Sequence, residues 1–192
     1  SYTYAACLSI GIFSGMILRN RDLREWGDRM VCAFTGHRPE RLPWGGDETD
    51  ARCAALRHRM EQVVTELHAQ GFETFLCGMA RGCDTLFAES VLAVQRRCPE
   101  LRLVAMIPCP SQPDAWPEAD RARYSRLLAA CSEIRVLEPS YSDGCMLRRN
   151  RAMADAAALL VTVYDGGPGG TAATIRYARQ KGKQILLLRC RK

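Results

Sequence analysis

The sequence predicts an α/β protein, a three-layer sandwich with a mostly parallel sheet of about six strands between helices. Three observations lead there. Short apolar runs alternate strictly with helix-like segments from Val31 to Leu188. The runs are near-continuously apolar, as strands covered on both faces are, and do not alternate as half-exposed strands do. Loops rich in glycine or proline follow four of the runs, at residues 35–39, 78–84, 108–116 and 164–171. In a parallel sheet such loops share the carboxyl edge, where ligands bind near the switch in strand order.

The elements follow in order. Val31-Cys32-Ala33-Phe34 is a first buried strand, and Pro39 holds Arg38 extended and stops a helix there. Residues 50–70 form a helix, because Leu56, Met60, Val63, Val64 and Leu67 recur at helical spacing and Gly71 ends it. Thr74 to Cys77 is the second strand; its helix carries Leu86, Phe87, Val91 and Val94 and closes at Pro99. Leu101 to Ile107 is the third. Pro108, Pro110 and Pro113 keep the next loop extended, and Pro117 suits the first turn of a helix with Tyr124, Leu127 and Leu128. Residues 133–137 are a short fourth strand, 146–153 a basic helix and 158–163 a fifth strand. Residues 171–181 are the last helix, ended by Gly182, and 184–188 the sixth strand. Residues 1–29 stand apart. The apolar part, Tyr4 to Leu18, is shorter than the ~20 residues of a membrane-crossing helix and lacks the basic start of a signal peptide. The expectation is a peripheral extension over 1–29, with Met30 as the natural start, and a single domain over 30–192.

At 192 residues, 47% hydrophobic and 25% charged, the chain suits one globular domain with a full core. The formal net charge is +6, and every basic residue except Lys181, Lys183 and Lys192 is arginine. Guanidinium forks suit phosphates, but codon bias accounts for much of the excess, and charge spread along the chain argues only weakly for nucleic acid. The ten cysteines include no Cys-x-x-Cys pair and no Cys/His cluster at zinc spacing. Cys32, Cys77 and Cys109 lie in apolar runs, as small hydrophobes do. This points to a reducing cytoplasm, with no membrane association and no metal expected.

The densest chemical signal is Asp165-Gly166-Gly167-Pro168-Gly169-Gly170-Thr171, between a β-branched strand and a helix start. Glycine lets a backbone approach a ligand closely. The helix start offers free N–H groups and the positive end of the dipole. Together they seat a phosphate or carboxylate, with the Thr171 hydroxyl assisting. Gly78, Arg81, Gly82 and Asp84 form a second wall. Arg81 is suited to grip a phosphate; Asp84 either accepts from a ribose hydroxyl or caps its helix. Gly36, His37 and Arg38 contribute from the first loop. His37 has no carboxylate partner visible in the sequence, which favours binding over acid–base work. Asn150 and Arg151 reach the cleft from the basic helix, or form a solvated face, with Asp155 offsetting Arg151. His58 and His68 read as surface residues.

Four words appear in order: Thr35-Gly36-His37-Arg38-Pro39, Gly78-Met79-Ala80-Arg81-Gly82-Cys83-Asp84, Arg149-Asn150-Arg151-x-Met153-x-Asp155, and the glycine loop through Thr171. This set resembles the SLOG superfamily of Rossmann-like proteins, in its YpsA-like (DUF1273) branch, over about residues 30–188. The second word also resembles the DNA-processing protein DprA. The last is similar to the LOG-type phosphoribohydrolases. The resemblance implies a Rossmann-like fold and a pocket for a nucleotide or nucleotide-derived small molecule. It also implies a branch without a settled enzymatic activity, in a superfamily whose members often form homodimers. The LOG enzymes carry a glutamate three residues after their Gly-Thr pair. Here Gly170-Thr171 is followed by Ala172, Ala173 and Thr174, which counts against that hydrolysis. The leading expectation is therefore a ligand-binding sensor or regulatory module, leaning away from an enzyme. One alternative is a nucleotide-processing hydrolase using Asp84, Glu89 or His37. Another is DprA-like binding of single-stranded nucleic acid, which the charge permits but the 7% aromatic content disfavours.

Overall fold

The computed structural model describes residues 30–189, so the expected extension over 1–29 lies outside the described residues. In chain order the elements are β1 (Val31–Thr35), α1 (Ala51–Ala69), β2 (Thr74–Cys77), α2 (Cys83–Gln95), β3 (Arg102–Ile107) and α3 (Glu118–Ala130). There follow β4 (Glu133–Val136), α4 (Cys145–Ala156), β5 (Leu159–Val163), α5 (Gly170–Gln180) and β6 (Gln184–Leu188). The sheet has six strands in the order β4-β3-β2-β1-β5-β6, and every neighbouring pair is parallel. The chain steps outward from β1 to β4, then restarts on the other side of β1. The switch in strand order lies between β1 and β5, and the loops that follow these two strands flank it.

Side-chain alternation along the strands builds the three layers. Cys32 and Phe34, with Phe75, Cys77, Leu103, Ala105 and Ile107, face a core completed by α1, α2 and α3. Ala33, Leu76, Val104, Met106 and Leu160 face the opposite way, against Met153, Ala154 and Ala157 of α4 and Ile175 and Ala178 of α5. In the larger core Phe34 and Phe87 stack with ring centroids 4.2 Å apart, a pairing worth about 0.5–1.5 kcal/mol beyond its buried area. This contact joins β1 to α2 beneath the carboxyl edge.

Element ends follow local chemistry. The Asp50 carboxylate accepts from the Arg52 N–H at 2.7 Å and caps α1. Gly71, at φ 93°, reverses the chain after it. Arg38 is extended (φ −74°, ψ 163°), as the proline after it requires. Pro39 does not exclude helix, however: it opens a single 3-10 turn, Pro39–Arg41. Its fixed φ suits a first helical position, where a missing N–H costs nothing. A second difference is at β4. Ile134 is 47% and Val136 51% exposed, on the strand that ends the sheet. Among the described residues no helix is long and apolar enough to cross a membrane.

Candidate functional site

The loop after β1 is the hub of the carboxyl edge. On one side the His37 carbonyl accepts from the Cys83 N–H at the start of α2 (3.0 Å). Gly82, at φ 87°, packs so closely there that an added Cβ would lie 2.7 Å from His37 O. On the other side the Gly36 carbonyl accepts from the Thr171 hydroxyl (3.2 Å). His37 Nε2 stands 3.0 Å from the Asp165 N–H and 2.9 Å from Asp165 Oδ1. Neutral, it accepts from the amide; protonated, it donates to the carboxylate. The carboxylate partner that local sequence does not reveal is thus supplied from 128 residues away. His37 is buried and Asp165 exposed. The Gly167 N–H, which donates to Asp165 Oδ1 at 2.8 Å, holds that carboxyl below the usual range, with His37 and Arg41 pulling the same way against partial desolvation.

The glycine loop itself runs from Tyr164 to Gly169 with Gly166 at φ 98° and Gly169 at φ 142°, and α5 starts at Gly170. Positive φ at these two positions excludes ordinary side chains without strain. No side-chain cap closes α5, so its first N–H groups face the loop mouth. Arg41, from the 3-10 turn, lies across that mouth. Its guanidinium donates to the Pro168 carbonyl and sits 3.1 Å from where a Gly169 Cβ would stand. Sequence reading missed Arg41, since nothing local marks it among so many arginines.

Behind the second loop lies a buried pair that sequence reading also missed in part. Arg149 is 3% and Asp84 6% exposed. The two meet at Gly78, where an added Cβ would run into the Arg149 guanidinium and lie 2.8 Å from Asp84 Oδ2. Arg149 donates to the carbonyls of Gly78 and, at 2.9 Å, Met106, and to Asn150 Oδ1 at 2.8 Å. It thereby ties the carboxyl ends of β2 and β3 to α4. Asp84 accepts from the Ala80 N–H at 3.2 Å. Burial pushes its carboxyl above the usual range, against the pull of Arg149 and of that amide. Met79 next to Gly78 has φ 56°, the only non-glycine with positive φ among the described residues, a conformation that stores strain and concentrates at functional loops. Gln112, buried, donates to the Gly78 and Met79 carbonyls at 3.3 and 3.2 Å, while its Oε1 has no hydrogen-bond partner among the described residues.

The remaining candidates are dispersed. Arg81 bonds Asp120 (2.7 Å) and Glu40 (3.3 Å), so two carboxylates occupy the fork expected to hold phosphate. It lines a shallow crevice with Met79, Trp116 and Tyr124 beside α3. Arg38 is exposed, close enough to Asp84 for its charge to be felt. Asn150 is committed to α5, donating to the Thr174 hydroxyl at 3.0 Å. Thr174, where the LOG-type glutamate would stand, donates to the Gly170 carbonyl at 2.8 Å. Arg151 is outside the cleft: it lies over the Tyr177 ring at 5.4 Å, two turns down α5, about 10 Å from its start. Asp155 accepts from the Tyr177 hydroxyl at 2.9 Å. Glu89 sits on the flank of α2 between Arg57 and Arg123. His68 is half-buried, 2.7 Å from Glu100. With Cys98 these two make a His/Cys/carboxylate cluster at the amino edge, which sequence spacing cannot show because its members are 30 residues apart.

Comparisons with known proteins agree with the fold. The SPbeta prophage-derived protein YoqJ of Bacillus subtilis is 25% identical over 138 residues, covering 65% of this chain and 81% of its own length. A UPF0398 protein of Bacillus thuringiensis is 24% identical over 157 residues, covering 80% and 84%. Among solved structures, DNA processing protein A (DprA) from Streptococcus pneumoniae superposes with a TM-score of 0.56 at 14% identity, over 83% of this chain and 50% of that one. DprA from Helicobacter pylori, solved for its single-stranded DNA binding mode, gives 0.57 at 16% identity, over 82% and 64%. This chain spans less than two thirds of either DprA, and at such identities the likeness is one of fold. The family model described as the YspA SLOG family matches residues 32–189, which takes in all of the sheet but Val31 and all four loops. By that match the chain belongs to the YspA SLOG family.

Proposed function

We propose that the cleft at the carboxyl edge binds a nucleotide or nucleotide-derived ligand, and that the protein acts through that binding as a sensor or regulatory module. The observation that carries the reading is the glycine loop at the β1/β5 switch, with uncapped α5 amides behind it and the Arg41 guanidinium across its mouth. An anion there meets backbone N–H donors, a helix dipole and an exposed cation together. The strained Met79 marks the second loop as a further wall of the cleft. The tied Thr174 hydroxyl, where the LOG-type proteins carry an acid, favours holding a ligand over cutting one.

Calorimetric titration with AMP, ADP, NAD and ADP-ribose, with adenosine as the phosphate-free control, tests the proposal. Phosphate-bearing ligands are expected to bind and adenosine far less. Arg41→Ala is expected to weaken them roughly 10- to 150-fold, from the ~1.5–3 kcal/mol of a hydrogen bond to a charged group. A folded sample that binds none of them overturns the reading. A single-stranded oligonucleotide that binds with steep salt dependence while every mononucleotide fails replaces it with the nucleic-acid reading, the activity named for the Helicobacter protein.

A further inference from the structure

We propose that the free edge of β4 is a self-association surface, pairing antiparallel with β4 of a second copy of this chain about a twofold axis at Ile134. β4 ends the sheet. Of the four large hydrophobic residues exposed among the described residues, Ile134, Val136 and Tyr141 lie on this strand or just after it. Ile134 and Val136 pair with Ala105 and Ile107 and so stand on the α3 face. In a parallel ladder, backbone groups of alternate residues address one neighbour. The Leu137 N–H donates to Ile107 O, so the N–H and C=O groups of Val136 and Ile134 point to the open side, unpaired within the sheet.

Edge strands are normally blunted by short length, charged side chains, prolines or a covering element. β4 is short and carries two charges, but these are of opposite sign, it holds no proline, and Ile134, Arg135 and Val136 stay exposed among the described residues. On its other face it carries one acid and one base, Glu133 and Arg135, two residues apart and joined to each other at 2.5 Å. That pair is self-complementary about Ile134. In an antiparallel match with Ile134 opposite its own copy, Glu133 faces Arg135 of the second copy and Arg135 faces Glu133 of the second copy. Two cross-strand ion pairs form on one face while Ile134 meets Ile134 on the other. The next register, centred on Arg135, would set arginine against arginine and is disfavoured. Charge therefore selects both the partner and the register, and a twofold closes the contact without leaving a further edge at β4.

Sedimentation velocity of the full chain, with circular dichroism as the check on folding, tests the proposal. The wild type is expected to associate to a dimer with rising concentration. Ile134→Glu, at an exposed position, is expected to stay folded and raise the dimer dissociation constant at least tenfold. Arg135→Glu, which sets glutamate against Glu133 of the second copy, is expected to do the same. The double exchange Glu133→Arg with Arg135→Glu restores the cross-strand pairs and is expected to restore the dimer. A wild type that stays monomeric, a dimer that survives Ile134→Glu and Arg135→Glu, or a folded double exchange that stays monomeric overturns the proposal.

Discussion

Arg149 shows how far a single residue can be read and where reading stops. In the sequence it belongs to a dense basic run. In the structure it is the buried member, because Cys145, Arg149 and Met153 recur every four residues and lie on the core face of α4. The spacing was there to be read; the charge on the middle residue disguised it. The His37–Asp165 pair had no such signal, since topology alone brings the two together. Gly36, Gly78 and Gly82, by contrast, are legible as glycines that must be glycine. Gly78→Ala is expected to cost about 1–3 kcal/mol by overpacking, since the new Cβ meets Arg149 and Asp84 and neither has room to give. Urea unfolding of the variant measures the loss. Gly46→Ala, where nothing stands within 4 Å, is the control and is expected to change stability by no more than ~0.5 kcal/mol.

At the scale of elements, β1, β2, α1 and β6 lie where apolar runs, glycines and prolines place them, to within a residue or so at each end, whereas α2 stops at Gln95, short of the Pro99 expected to close it. The expectation of strands covered on both faces fails at β4, where Glu133 and Arg135 alternate with Ile134 and Val136; the alternation marks one open face, but the exposure of the apolar pair follows from β4 ending the sheet, which no local pattern encodes. Helix-to-helix ties were equally invisible. Glu89 of α2 accepts from Arg123 of α3 at 2.7 Å and from Arg57 of α1, and Glu48 joins both arginines. Burial pushes the Glu89 carboxyl up, but Arg123 and Arg57 outweigh it and hold the group below its ordinary range. A carboxyl lowered on folding stabilises above its unfolded value, near 4.5 here, and that contribution is lost as pH falls through the folded value. Glu89→Gln is therefore expected to be less stable than wild type at pH 7, with the gap closing as pH drops below about 4.5. Urea midpoints followed downward from pH 7 decide it; a gap that never narrows as the carboxyl protonates would rule out the charge-based account.

At the scale of the molecule, the sequence establishes that four loops share an edge, because parallel strands and short connections leave no other arrangement. It does not reveal that β1 sits beside β5, and so does not show that the loops after these two strands face each other across the switch. That neighbourhood decides which residues form the cleft. It brings Arg41 to the glycine loop, while the packing of α4 on α5 commits Asn150 to a structural tie and sets Arg151 over Tyr177. Arg151→Ala is accordingly expected to leave ligand affinity within about twofold in the calorimetric titration, since its contacts are with Tyr177 and not with the loops. A loss comparable to that of Arg41→Ala would return Arg151 to the site.

The segment from Gly36 to Arg41 grips both banks of the switch at once. Through Cys83 it holds the start of α2, and through Asp165, Pro168 and Thr171 it holds the glycine loop and the start of α5. Two helix starts fastened to one short span do not move as independent variables. A ligand that shifts the span at one end changes the free energy of opening at the other by the same coupling, in whichever direction it is measured. Amide exchange at Cys83 and at Asp165 is therefore expected to slow together when the cleft fills, although no ligand atom need touch both.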